Sequence, residues 1–232
     1  MEARRQLHRA AQVAAGVGRA LLPPRPDFSH ESFSWTGGRL VQGLVEGRFR
    51  SGLRFADLTL LLLDGDDALI DQLPLDGRTL EDGFRFYEER CAALLGRKVE
   101  LARQGESGPF HAERAALAEA ARLYDTADQL LRELDEGPIR CWPHHFDIAT
   151  LIPLGGERTI GAGMSPGDAA HPEPYYYVTP WPYPPPETLP PLSAGRWNTH
   201  HWVGALLPAA EPRETIARFL SEAIAILRDS AR

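Results

Sequence analysis

The residues whose types and spacing could do chemistry lie mostly in the second half of the chain. "CWPHHFDIATLIPL" (141–154) carries two adjacent histidines and an aspartate that run straight into an apolar segment. If 144–152 is extended, its side chains alternate between two faces. His145, Asp147, Ala149 and Leu151 then share one face, and His144, Phe146, Ile148, Thr150 and Ile152 share the other. An imidazole and a carboxylate two residues apart on a strand stand roughly 7 Å apart, close enough to converge on one ion. His200 or His201, expected to begin another short apolar strand, supplies a third ligand. His145, Asp147 and His201 together make the two-histidine, one-carboxylate set of non-haem iron sites, which would take a divalent transition metal; the residues name no cofactor beyond that option. Arg213 could hold the carboxylate of an oxo-acid cosubstrate. The plainer reading makes His144 and His145 hydrogen-bonding residues of a proline-bent sheet, with Asp147 paired to Arg140.

"GMSPG" (163–167) matches the nucleophile-elbow pattern of serine hydrolases. Chemistry argues against that role. The residue after the nucleophile normally gives its backbone N–H to the oxyanion, and Pro166 has none. Ser165-Pro166-Gly167-Asp168 reads better as a type II turn, with proline second and glycine third. The same proline spoils any dinucleotide-binding fingerprint in "GAGMSPG".

The aromatics form a third constellation. In an extended "PYYYVT" (174–179), Tyr175, Tyr177 and Thr179 face one way and Tyr176 and Val178 the other. One tyrosine face could line a pocket with His145, Asp147 and Asp168, the residues expected to act as catalytic groups. Trp142, Tyr175, Tyr177, Trp197 and His200 are the expected ligand contacts, on an apolar wall with hydrogen-bonding tips that suits a small polar-aromatic molecule. The alternative is that the tyrosines are ordinary core-to-rim residues. "PWPYPPPETLPP" (180–191) should be a polyproline-like strap, either covering a sheet or recognising a partner.

These residues need elements to position them. Leu7, Ala10, Ala14, Val17 and Leu21 make one face of an N-terminal helix ended by Pro23-Pro24. Gly37-Gly38 suits a tight hairpin within 33–41. "LRFADLTLLLLD" (53–64) reads as one continuous central strand, and 68–75 returns antiparallel to it. Thr79 opens a helix with Asp82 at the capping-box position; it buries Phe84, Tyr87, Cys91 and Leu94 or Leu95 and stops at Gly96. The longest helix lies between Ala112 and Glu136, with Leu117, Ala120, Tyr124, Ala127, Leu131 and Leu134 inward. Pro212 starts a final helix whose stripe is Ile216, Phe219, Leu220, Ala223, Ile224 and Leu227. The fold class is α+β, with mostly antiparallel sheet, a long central helix and helices at both ends.

The 232 residues are enough for one large domain, read here as 1–232 with a sub-boundary near 137. Composition shifts there: residues 138–202 hold thirteen of the 20 prolines and four of the five tryptophans. A net charge of −7, with Arg scattered rather than striped, argues against nucleic acid. Cys91 and Cys141 form no C-x-x-C pair, so reduced thiols in a cytoplasm are expected. The twin arginine near the N-terminus precedes a short, glycine-broken apolar run rather than an export signal. No segment reaches the roughly 20 apolar residues of a membrane span, so no membrane partner is expected.

"WPHHFDIATLI" (142–152), "GMSPGD" (163–168), "EPYYYVTPWPYP" (173–184) and "GRWNTHHWVGALLP" (195–208) resemble a bacterial domain family of unknown function. That resemblance implies a family but no activity or substrate. Two function classes therefore stand. One is a small-molecule enzyme with a polar-aromatic cleft built from 142–147, 163–168, 173–179 and 197–202. The other is a non-catalytic ligand-binding or structural protein whose motifs hold irregular turns together.

Overall fold

The computed structural model describes residues 2–229. Its contacts divide the chain into two compact units rather than cutting it once near 137. The first runs to Asp125 and takes in Cys141–Phe146; the second comprises Thr126–Arg140 and everything from Asp147 onward.

In the first unit, helix α1 (Glu2–Leu21) precedes a five-stranded antiparallel meander. Its strands are β1 (Ser34–Thr36), β2 (Arg39–Val41), β3 (Phe49–Arg54), β4 (Thr59–Asp64) and β5 (Leu69–Pro74). Gly37 and Gly38 both take positive φ, 53° and 76°, as a two-residue hairpin turn with matching twist requires. The continuous strand expected over 53–64 is instead two strands joined by a turn at 55–58. Leu58 adopts φ 50°, and Arg54 grips Asp57 with Nε–Oδ1 and Nη2–Oδ2 contacts of 2.8 Å. Both Phe55 and Leu58 are buried, so the turn keeps the apolar character that made it read as strand.

Helix α2 (Leu80–Leu95) begins with the expected capping box. Thr79 accepts from the Asp82 N–H, and Asp82 accepts from the Thr79 N–H at 2.9 Å. Gly96 ends it in the left-handed region. Among its inward residues, Tyr87 has its hydroxyl between β3 and β4, where it meets the Gly52 carbonyl at 2.9 Å and the Leu61 carbonyl at 3.0 Å. Burial pushes the Tyr87 phenol far above its ordinary pKa, so it stays neutral and can donate.

Helix α3 (Arg114–Leu134) passes from the first unit into the second, and the short β6 (Ile139–Trp142) passes back. Cys141 there exchanges both backbone hydrogen bonds with Phe33, at 2.8 and 2.9 Å. The second unit contributes β7 (Asp147–Gly155), β8 (Arg158–Ser165), β9 (Tyr175–Trp181), β10 (Arg196–Asn198), β11 (Gly204–Pro208) and α4 (Arg213–Asp229). The sheet order is β10-β11-β9-β8-β7-β6. Helix α4 packs on β8, β9 and β11 and buries Ile216, Phe219, Leu220, Ala223, Ile224 and Leu227, the stripe read from the sequence. The α+β class and both terminal helices are as expected. No described helix is long and apolar enough to cross a membrane.

Removing the Tyr87 hydroxyl takes away the single O–H shared by the Gly52 and Leu61 carbonyls and the acceptor of the Gly52 N–H. Tyr87→Phe is expected to lose about 1–3 kcal/mol in urea-induced unfolding, with the sheet signal intact in the native baseline. An unchanged midpoint would show that the two carbonyls find other partners.

Candidate functional site

The double-histidine stretch is not extended where the strand reading needs it to be. Residues 143–146 form a turn closed by the Phe146 N–H on the Trp142 carbonyl at 2.7 Å. Phe146 takes φ 57°, and its carbonyl accepts from the Tyr124 hydroxyl. Strand alternation therefore starts at Asp147, and the expected sharing of a face by His145 and Asp147 has no strand geometry behind it. Trp142, His144 and His145 belong to the first unit, with both histidines exposed. The His144 ring lies 4.6 Å from that of His145 and 6.0 Å from that of Trp142.

The remaining candidates lie in the second unit. Opposed residues of an antiparallel ladder share a face. The register Ala149↔Gly163↔Tyr177↔Leu206 therefore places Asp147, Ser165, Tyr175, Tyr177, Thr179 and Arg196 on the face opposite α4. Burial along β9 alternates as expected: Tyr176, Val178 and Pro180 are buried, while Tyr175, Tyr177 and Thr179 are half-buried. Trp197 pairs with Ala205 and so stands on the other face, tied to the strap by its indole N–H on the Pro190 carbonyl at 2.6 Å. It is an anchor of the strap, not a neighbour of Tyr175 and Tyr177.

Each tyrosine on the open face meets an aspartate. The Tyr177 hydroxyl crosses β8, whose facing positions are Gly161 and Gly163, and donates to Asp147. A Cβ on Gly163 would sit 2.6 Å from the Ile148 carbonyl oxygen and from Ala149 Cβ, so only glycine fits. The Tyr175 hydroxyl donates to Asp168 Oδ2 at 2.6 Å, while Asp168 Oδ1 accepts the N–H groups of Ala170 and His171, both at 2.7 Å. Burial alone would raise the Asp168 carboxyl, but the Tyr175 hydroxyl and the two backbone donors outweigh it and hold it below its ordinary value. Tyr175 moves the other way, raised first by burial and then by the Asp168 carboxylate. An aspartate fixed in its charged form and a tyrosine fixed in its neutral form exchange no proton near neutrality. The pair positions a phenol and a loop.

That loop runs through the "SPGD" turn. Gly167 has φ 103°, as glycine at the third position of a type II turn requires, and its N–H reaches Ser165 Oγ at 3.2 Å. Ser165 is buried, with an acceptor role rather than a nucleophile's exposure. His200 and His201 do not begin a strand. They sit exposed in the bend between β10 and β11, with His201 at φ 66°. The buried Asn198 side chain holds this bend by donating to the His200 carbonyl at 2.9 Å and the Trp202 carbonyl at 2.7 Å. Sequence reasoning passed over Asn198, although a buried amide between aromatic and histidine residues is a loop-clamping signal. Trp202 lies over Gly204, where a Cβ would come 2.5 Å from the indole, and its ring centroid is 6.5 Å from that of Tyr177.

Among the described residues no group of three or more His, Cys, Asp or Glu side chains is arranged to hold a metal ion. The expected set of His145, Asp147 and His201 is therefore not gathered, because the turn at 143–146 and the bend at 200–202 replace the two strands that were to converge them. Arg213 is likewise engaged, with Nη2 2.5 Å from Glu133 Oε1.

Beside Tyr175 the second unit opens a groove of about 460 Å³. Pro172, Pro174, Leu206, Leu207 and Pro208 make its apolar wall, and His171, Glu173 and Arg196 supply polar edges. The His171 ring stands edge-on to Tyr175 at 5.3 Å. Comparison with protein-family models, with curated proteins and with solved structures finds no match to the chain.

Asp168 contributes stability through a lowered native pKa, so that contribution is complete above the unfolded carboxylate pKa of about 3.9 and fades as pH falls through the lower native value. Asp168→Asn should therefore melt below the wild type at pH 6–7, and the gap should close as the pH is taken below about 4. A gap in melting temperature that stays constant down to pH 2 would remove the charged Asp168 from the account.

Proposed function

We propose that the second unit binds a small amphipathic molecule carrying an anionic group, in the groove beside Tyr175. The observation that supports this most is the pairing of an apolar wall with Arg196. That guanidinium lines the groove and makes no ion pair or side-chain hydrogen bond with any described residue. Other arginines of this sheet's neighbourhood are engaged by carboxylates, Arg213 by Glu133 and Arg228 by Glu136. A guanidinium presents a planar fork suited to a carboxylate, and an apolar wall supplies the non-directional part of affinity.

Glu173 on the rim sets a limit. Its negative charge opposes polyanions, so a single carboxylate or a zwitterion suits the groove better than a nucleotide. Tyr175 enters as a neutral, pre-oriented donor and ring, held by Asp168. An aromatic or branched-chain carboxylic acid, amino acids included, is the class that matches all three features.

A catalytic use of the same sheet face has one observation in its favour, the Tyr177 hydroxyl donating to the buried Asp147 carboxylate. A carboxylate in that position can take the phenol proton if a substrate engages the tyrosine oxygen. The metal-dependent version of that reading has no ligand set among the described residues.

Calorimetric titration with a panel of aromatic and aliphatic carboxylates and amino acids tests the binding reading. At least one should bind saturably, and Arg196→Ala should weaken it tenfold or more, with Arg196→Lys between the two. Binding that Arg196→Ala leaves unchanged would overturn the assignment, as would a panel with no binder.

A further inference from the structure

The proline strap carries a second recess that the groove beside Tyr175 does not use. It measures about 550 Å³ and is lined by Leu154, Arg158, Thr159, Trp181, Tyr183 and the strap prolines, with Leu227 from α4 closing one side. Trp181 and Tyr183 are among the most exposed large apolar side chains of the protein, at 58% and 44%. Their rings meet edge to face, with centroids 5.6 Å apart and planes 80° apart. Singly exposed apolar residues are ordinary, but two aromatic rings set at right angles in one recess form a notch with two apolar planes.

The polar lining has its own character. The lining prolines 180, 182, 184 and 185 have no N–H. The expected polyproline run over 180–191 is interrupted, since β9 reaches Trp181 and residues 186–188 form a 3-10 turn. The carbonyls of Pro182, Tyr183 and Pro184 nonetheless accept no hydrogen bond from described residues. The Thr159 hydroxyl, the Trp181 indole N–H and the Tyr183 hydroxyl likewise have no described partner. Aromatic planes are therefore combined with a row of open acceptors and a few single donors.

From this combination we infer that the recess at Trp181 and Tyr183 binds a neutral saccharide. A pyranose ring has apolar C–H faces to lay on the two rings and a perimeter of hydroxyls. Those hydroxyls donate to the strap carbonyls and accept from Thr159, Trp181 and Tyr183. A proline-rich peptide also favours aromatic grooves. It brings few donors, however, and would leave the open carbonyls of the strap facing its own carbonyls. The saccharide satisfies both halves of the lining. This site stands apart from the carboxylate groove, shares no residue with it, and does not depend on that reading.

The test uses the full chain with gluco-, xylo-, manno- and chito-hexaoses and a proline decamer as probes. Indole N–H resonances are followed by NMR, with the Trp181 signal assigned from Trp181→Phe. One or more hexaoses should shift the Trp181 indole saturably. Tyr183→Ala, at an exposed strap position, should weaken that oligosaccharide at least fivefold and Trp181→Ala at least tenfold, with thermal melting within a few degrees of wild type. Trp202→Phe, outside the recess, should leave the affinity unchanged. No shift with any hexaose overturns the proposal, as does saturable binding of the proline decamer alone. Binding that survives both aromatic truncations also overturns it.

Discussion

The left-handed turn at Phe146 sets where β7 of the second sheet begins, and most of the open face follows from that. A non-glycine residue at positive φ is unfavourable by itself. Here it is held from both sides, by its N–H on the Trp142 carbonyl and by the Tyr124 hydroxyl on its own carbonyl. Its ring adds to the packing, 5.1 Å from His8 and 5.6 Å from Tyr124. With the turn fixed, Asp147 is the first residue of β7 and faces away from α4. Ladder register then determines which side chains of β8, β9 and β11 share its side.

The two faces of that sheet have different physics. Against α4 the side chains are continuous and apolar, and stability comes from area removed from water, on the order of 1.5–3 kcal/mol for each fully buried large side chain. On the open face the same strands present glycines, tyrosines and aspartates. Carboxylates there orient phenols and backbone loops, and the guanidinium of Arg196 at the groove has no partner among the described residues. Of the polar groups there, Asp168 is held charged and Tyr175 neutral. A proton-transfer centre instead needs groups poised near neutrality.

Much of this was legible in the sequence because it rested on period and punctuation. The four helices follow from apolar spacing and from Thr79, Gly96, Gly137 and Pro212 at their ends. The facing of Tyr175 and Tyr177 follows from strand alternation. The misses share one cause. The turn at 55–58 and the turn at 143–146 are made by Leu58 and Phe146 in left-handed conformations, without glycine to announce them. Long-range packing overrode local preference at both, and no local pattern carries that information. His201, also left-handed, concealed the bend before β11 in the same way. Arg196 was invisible for another reason: among many arginines, only the position of carboxylates and grooves in space tells which of them line a groove without a carboxylate partner.

The glycines of the open face have a consequence of their own. Gly163 is hemmed in by the Ile148 carbonyl and Ala149, and Gly204 by Trp202 and the Val178 carbonyl. The close packing at these two positions of β8 and β11 is therefore set by the main chain, where most protein surfaces are shaped by movable side chains. No change of rotamer there can alter it, and no substitution there can reshape it without moving a strand or a neighbouring ring. Variation of this surface is confined to the rings that lie across it, Tyr177 and Trp202, so its contour should be rigid while its chemistry remains adjustable at two places.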